Sequence, residues 1–166
     1  GWVVGHLGTT TQNWQIVADD RQHYYAKTSV TQGNTANERL STRSFNLSGY
    51  QNTKLRFWMD FQPTSSSSGM LQFSFNNISW TGVDTYNAVY TGYKEYVLPV
   101  LDNSSSVRIR WTYTSPLNTN GTANHWIIDD LSLTSYVPDA TAPSMVSDFQ
   151  ALGNDGGSVS LSWSPS

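Results

Sequence analysis

An indole with charged neighbours is the part of this sequence best suited to bind a ligand. Trp58 stands between Arg56 and Asp60 in a segment where apolar and polar residues alternate, so the three side chains project from one face of a strand. An indole can stack on the C–H face of a sugar ring while planar polar groups bond to its hydroxyls. The pattern therefore predicts a carbohydrate-binding surface.

Two further segments alternate in the same way, and they would extend this surface if all three strands are neighbours. Their polar faces carry Gln72, Ser74, Asn76, Arg108, Arg110 and Thr112. The expected ligand-binding residues are Trp58, Arg56, Asp60, Gln72, Arg108 and Arg110. The alternative is an ordinary solvated sheet face, on which the arginines pair with Asp60 and a loop half covers Trp58.

A pair of adjacent aspartates, Asp129 and Asp130, forms the second candidate site. If the strand is regular, Asp129 shares the core side with Ile127 and Leu131, and Asp130 points the other way. A carboxylate on the core side is costly unless it is hydrogen-bonded, paired or bound to a cation. The pair is therefore a candidate metal site, and an aspartate that accepts backbone N–H bonds or pairs with an arginine is the alternative.

Composition argues against several other functions. The three histidines and the two glutamates, Glu38 and Glu95, form no His-Glu-x-x-His motif, and there is no Gly-x-Ser-x-Gly motif. A net charge of −3 disfavours nucleic acid, which needs clustered cations. Cysteine is absent, so disulfides are excluded, and no apolar run reaches the roughly 18 residues of a membrane span. We expect no enzyme, no nucleic-acid partner and no membrane-spanning segment.

The elements that position these side chains are predicted to be strands throughout. Period-two alternation is clearest in residues 54–61, 70–76 and 106–113, and it is weaker in residues 14–18, 24–27, 39–45, 94–100 and 126–135. Turn-forming pairs such as Gly33-Asn34 and Asn120-Gly121 separate the segments. This spacing predicts an all-β fold, an antiparallel two-sheet jelly-roll sandwich, with an up-and-down barrel as the alternative.

Composition changes at residues 137–143, where two prolines among small and polar residues predict a short linker. Beyond it, residues 158–163 alternate like a strand, but residues 144–166 are too few to build a core of their own. We therefore expect a binding module over residues 1–136, a linker over 137–143, and the first strands of a second β-domain over 144–166. The chain would then be part of a longer modular protein.

Three stretches of the first module carry a family resemblance. They are Gly1-Trp2, the segment 37–50 before the long strand, and the closing motif His125-Trp126-Ile127-Ile128-Asp129-Asp130. Together they resemble the jelly-roll domains called cleaved-adhesin, choice-of-anchor or MAM-like modules. The tail, with its Val159-Ser160-Leu161-Ser162-Trp163 segment, resembles the first two strands of a fibronectin type III domain.

The resemblance implies a secreted or cell-surface bacterial protein, in which such modules are non-catalytic appendages. It also implies a structural Ca²⁺ held by Asp129, with Asp130 as its neighbour. Taken with the residues, it predicts an accessory module that binds polysaccharide or a surface glycan. A structural or protein-docking module of a secreted protease or adhesin, in contact with neighbouring domains, is the alternative.

Overall fold

Alternating side chains organise most of the described residues into antiparallel strands. The computed structural model describes residues 2–6, 13–21, 23–64, 66–118, 124–139, 148–153, 156–157 and 159–162. The strands are β1 Trp2–His6, β2 Gln15–Ala18, β3 Tyr24–Val30, β4 Ala36–Thr42, β5 Gln51–Gln62, β6 Ser68–Ser74, β7 Thr81–Tyr86, β8 Tyr90–Val97, β9 Arg108–Ser115, β10 Asn124–Tyr136, β11 Gln150–Gly153 and β12 Val159–Ser162. A short 3₁₀ helix, Pro99–Leu101, follows β8.

Two five-stranded antiparallel sheets form a sandwich. Sheet 1 has the order β1-β4-β9-β6-β7, and sheet 2 has the order β2-β3-β10-β5-β8. The predicted all-β, two-sheet jelly-roll architecture is thus confirmed. The expectation that the three clearest strands are neighbours is wrong, because β6 and β9 pair in sheet 1 whereas β5 lies in sheet 2.

Aromatic and aliphatic side chains from both sheets fill the space between them. On β5, Leu55, Phe57, Met59 and Phe61 are all buried, as the alternation predicts. The Trp126 ring on β10 lies 5.1 Å from the Phe61 ring, measured between centroids, and meets it at 66°. Such edge contacts add to the free energy gained from burying large apolar surfaces.

A β-bulge in β10 interrupts the alternation from which the orientation of Asp129 was predicted. Trp126 and Ile128 face the core, so Asp129 projects outward on the other side. The register of β10 against β5 shifts between Asp129 and Ser132, and Asp130 has a φ of 48°. This extra residue returns Leu131 to the core side. The prediction that Asp129 faces the core is therefore wrong, because the alternation is interrupted.

Downstream of β10, β11 and β12 pair as an antiparallel hairpin with exposed side chains. Residues 140–147, 154–155, 158 and 163–166 lie outside the described part of the chain. The boundaries of the module, the linker and the fibronectin type III-like segment stay predictions.

A close contact between the two sheets yields a test of the packing. A Cβ added to Gly69 on β6 would lie 2.6 Å from Cζ3 of the buried Trp126 ring, whereas one added to Gly82 on β7 meets nothing within 4 Å. We expect Gly69→Ala to lower the free energy of unfolding by about 1–3 kcal/mol through overpacking. Gly82→Ala serves as the matched control in thermal unfolding. Equal midpoints for the two variants would contradict this account of the core.

Candidate functional site

The outer face of sheet 2 gathers half of the predicted ligand-binding residues. We call it the Trp58 face, and it consists of the outward side chains Tyr25, Lys27, Arg56, Trp58, Asp60, Gln62, Thr91, Tyr93, Glu95, His125, Ile127 and Asp129. Trp58 is half-buried, and it is paired across the strands with Tyr93 on one side and Asp129 on the other. Directly opposed residues lie about 4.5–5.5 Å apart at Cβ, so one sugar ring can touch several of these side chains.

A hydrogen-bond network fixes Asp60 beside Trp58. The Gln62 amide and the Thr91 hydroxyl each donate to Asp60 Oδ1 at 2.8 Å, and His125 Nε2 lies 2.8 Å from Oδ2. Burial alone would raise the pKa of Asp60, but hydrogen bonds from Gln62, His125 and Thr91, with the charge of His125, hold the pKa below its ordinary value. Asp60 therefore stays ionised at neutral pH and accepts hydrogen bonds.

Arg56 and Tyr93 form a second fixed pair on the same face. The Arg56 guanidinium carbon lies 3.6 Å from the centroid of the Tyr93 ring, which is a cation–π contact. The Tyr93 hydroxyl donates to Asp130 Oδ2 at 2.5 Å, and this bond raises the pKa of Tyr93. The pair brings planar groups, one aromatic and one cationic, next to Trp58.

Toward the edge of the Trp58 face, β2 and β3 add a shallow depression of about 290 Å³. It is lined by Asn13, Gln15, Val17, Tyr25, Lys27 and Ser29. Sequence reasoning did not include these residues in the site. Alternation could have placed Tyr25 and Lys27 on one face of a strand, but nothing in the sequence shows that β3 lies in the same sheet as β5.

The other predicted residues lie on the opposite side of the molecule. Gln72 on β6 and Arg108 and Arg110 on β9 project from the outer face of sheet 1. The chain crosses from sheet 2 to sheet 1 between β5 and β6, so side chains with the same alternation end on opposite surfaces. The expectation of one continuous surface from all three strands is therefore wrong.

A larger depression of about 520 Å³ lies elsewhere, between the sheets at one end of the sandwich. Its lining is mostly apolar and includes Phe45, Leu47, Leu55 and Leu133, with no charged side chain. It contains none of the predicted ligand-binding residues. Volume alone does not make it suited to a sugar, because it lacks the charged and planar polar groups that bond to hydroxyls.

The two aspartates of the β10 bulge are joined by a histidine that the sequence did not connect with them. His23 Nδ1 lies 3.6 Å from Asp129 Oδ2, and His23 Nε2 lies 3.9 Å from Asp130 Oδ1. The ligand atoms of these residues all lie within 4.8 Å of one another, a spacing that one metal ion could bridge. Calcium takes about six to eight oxygen ligands, and imidazole suits transition ions instead. The cluster therefore fits calcium only through its carboxylates, and the calcium site stays a prediction.

Metal addition tests that prediction through stability. A calcium ion bound by Asp129 and Asp130 would stabilise only the folded state, so a tenfold excess over Kd should raise Tm by about 3–6 °C. Asp129→Asn should abolish the rise, and Asp20→Asn, an exposed aspartate in a turn, is the charge-matched control. A rise with Zn²⁺ but not with Ca²⁺ would contradict the calcium prediction, as would no rise with either ion.

Comparison with known proteins gives matches at the level of structure. No family model and no curated protein matches this chain. A carbohydrate-binding module of family 61, solved in complex with β-1,4-galactotriose, superposes with a TM-score of 0.54 at 15% identity, covering 81% of this chain and 88% of that one. The chain has the jelly-roll sandwich fold.

Two adhesin domains have the same architecture. The K2 cleaved adhesin domain of Lys-gingipain superposes with a TM-score of 0.51 at 9% identity, covering 80% of this chain and 89% of that domain. The K1 cleaved adhesin domain of Lys-gingipain from Porphyromonas gingivalis W83 gives 0.51 at 8% identity, with 81% and 90% coverage. At these identities the matches show the fold alone. Among the described residues, no helix has the length and apolar character to cross a membrane.

Proposed function

We propose that this protein is a non-catalytic module that binds a neutral polysaccharide across the Trp58 face. The observation that carries the proposal is the position of Trp58, half-buried within sheet 2 and paired across the strands with Tyr93 and Asp129. A sugar ring lying on the indole would place its hydroxyls over the neighbouring strands. The edges of the ring would then reach Asp60 and Arg56.

Preorganisation supports this function. Asp60 is held by three side chains, and Arg56 is stacked on Tyr93, so little side-chain freedom would be lost when a ligand binds. A row of side chains that crosses neighbouring strands suits an extended chain of sugars better than a compact small molecule. The fold neighbour that was solved with galactotriose makes β-1,4-galactan a reasonable first probe.

The chemistry of Asp60 favours binding over hydrolysis. A glycoside hydrolase needs a protonated carboxyl to donate a proton to the leaving oxygen, together with a second carboxylate across the bond. Hydrogen bonds from Gln62, His125 and Thr91 keep the pKa of Asp60 low, so it serves as an acceptor for sugar hydroxyls and not as an acid. We accordingly propose an accessory role in a secreted or cell-surface protein, in which a separate domain would carry any catalysis.

Removal of the indole tests the proposal. We expect Trp58→Ala to weaken the protein's binding to whichever neutral polysaccharide it recognises by at least about tenfold, or about 1.4 kcal/mol, because the stacking surface is lost. Affinity electrophoresis against β-1,4-galactan, xylan, mannan and mixed-linkage glucan would identify the ligand, and calorimetry would measure the loss. The matched control is Trp80→Ala, which removes a half-buried indole from the opposite face. Thermal unfolding checks that both variants are folded.

The same experiment separates glycan binding from a docking role. If none of the neutral polysaccharides binds, or if Trp58→Ala and Trp80→Ala weaken binding equally, the Trp58 face is not the glycan site. A module that docks against neighbouring protein domains would then account for the fold. In that case the Trp58 face becomes the surface on which to search for a protein contact.

A further inference from the structure

The outer face of sheet 1 carries charges of one sign. Among the described residues, its charged side chains are Arg39 on β4 and Arg108 and Arg110 on β9, and we call this surface the arginine face. The acidic residues of the same sheet point inward. Glu38 is fully buried opposite Tyr113, and Asp84 accepts a hydrogen bond from Tyr96 of sheet 2. The protein as a whole has a net charge of −3, so a face whose charged side chains are all arginines is opposite in sign to the whole protein.

Arg110 is held by neutral groups. Its side chain is largely buried, at 8% exposure, and its Nε and Nη2 donate to Gln72 Oε1 at 3.0 and 2.7 Å. The guanidinium carbon lies 3.8 Å from the centroid of the Trp80 ring. Within the described part of the chain, Arg110 forms no ion pair closer than 4.0 Å, so no described carboxylate neutralises this guanidinium.

Arg39 adds a second charge nearby. It pairs with Thr112, which is two residues from Arg110 on the same face, so the two arginines are diagonal neighbours about 7–8 Å apart. The Nε of Arg39 is buried without a hydrogen-bond partner. Burial, and then the charge of Arg39, lower the pKa of Arg110 to about 10, so Arg110 remains charged at neutral pH. Two partly desolvated like charges and an unused donor are unfavourable when nothing is bound.

An oxyanion would relieve each of these costs. Guanidinium groups bind carboxylate and sulfate through paired N–H donors, and such charge-assisted bonds are stronger in a partly buried position. Arg108 lies two residues from Arg110 on the same face, about 6.5–7 Å along the strand, and would extend the site to a second anion. Trp80 is half-buried beside Arg110 and offers an aromatic surface next to the charges.

We propose that the arginine face binds an acidic polysaccharide through its oxyanion groups, which are uronate carboxylates or sulfate esters. Sugar rings between the anionic groups would stack on Trp80. A small inorganic anion has no such ring and would not use the Trp80 surface. A nucleic acid is less well matched, because its dense phosphates need more cations than three arginines supply and the protein is acidic overall. This site is independent of the Trp58 face, and the two lie on opposite surfaces of the sandwich.

Matched ligands and variants test the proposal at low salt. Polygalacturonate is compared with its methyl ester, and dextran sulfate with dextran, so that each pair differs in the anion alone. We expect one polyanion of the two pairs to bind, its neutral partner to fail, and affinity to fall as salt rises. The responding pair identifies carboxylate or sulfate as the group that is recognised.

Arg39→Gln and Arg108→Gln should each weaken that binding by at least about fivefold, a typical scale for losing one charge-assisted contact. Arg56→Gln, which makes the same charge change on the Trp58 face, should leave it unaltered, as should Trp58→Ala. Without ligand, Arg39→Gln should keep or raise Tm because a repulsion is removed. A purely structural role for Arg39 would lower Tm instead.

Several outcomes would overturn the proposal. These are no binding to either polyanion, equal losses for Arg39→Gln and Arg56→Gln, or tighter binding to duplex DNA or polyglutamate than to both polyanions. If the arginine face binds no polyanion, the proposal for the Trp58 face still stands, because Arg39→Gln should not change binding of a neutral polysaccharide. If no neutral glycan binds, the polyanion experiments still test the arginine face independently.

Discussion

The indole of Trp126 connects the two sheets of this protein. Its ring lies 5.1 Å from Phe61 on β5, 5.4 Å from Tyr86 on β7 and 6.3 Å from Tyr113 on β9, measured between centroids. Since Trp126 must face inward to make these contacts, its neighbours His125 and Ile127 must face outward. The same packing holds β10 against β5, and this places His125 beside Asp60. The chemistry of the Trp58 face therefore depends on how the core is packed.

The two outer faces differ in their electrostatics. On the Trp58 face, Asp60 is held by hydrogen bonds from neighbouring side chains, Arg56 stacks on Tyr93, and the Tyr93 hydroxyl donates to Asp130 in the adjoining bulge. On the arginine face, Arg110 has the Gln72 amide and the Trp80 indole as partners. About 10 Å of packed core separates stacked sheets, so the faces do not share contacts. One sandwich can thus present two surfaces with different ligand chemistry.

Sequence reasoning was reliable where period-two alternation decides the outcome. It predicted the all-β sandwich, and it placed Leu55, Phe57 and Met59 inside and Trp58 outside. Alternation states which face of a strand a residue occupies, but not which sheet the strand joins. For that reason Gln72 and Arg110 were expected beside Trp58 and lie on the opposite surface. His23 lies beside Asp129 although the two residues are 106 positions apart in the sequence, and no local pattern encodes such a contact.

The bulge in β10 shows a second limit of predicting side-chain orientation from alternation. One additional residue reverses the orientation of the side chains that follow it, and positive φ at Asp130 is a backbone feature that spacing alone does not reveal. The adjacent Asp-Asp pair was a hint, because aspartate tolerates left-handed backbone better than most residues. The prediction nevertheless assumed a regular strand. The same irregularity brings Asp130 within reach of the Tyr93 hydroxyl.

A nuclear magnetic resonance titration with neutral oligosaccharides is the most direct test of glycan binding at the Trp58 face. Each tryptophan gives a separate indole N–H signal, so β-1,4-galactotriose and matching xylo-, cello- and manno-oligosaccharides can be added while Trp58 and Trp80 are followed together. We expect the sugar that binds to shift the indole signal of Trp58 and the backbone amide signals of β5, β8 and β10, while the indole signal of Trp80 stays unchanged. Shifts confined to Trp80 or to the depression between the sheets, or no shift with any of the sugars, would contradict it.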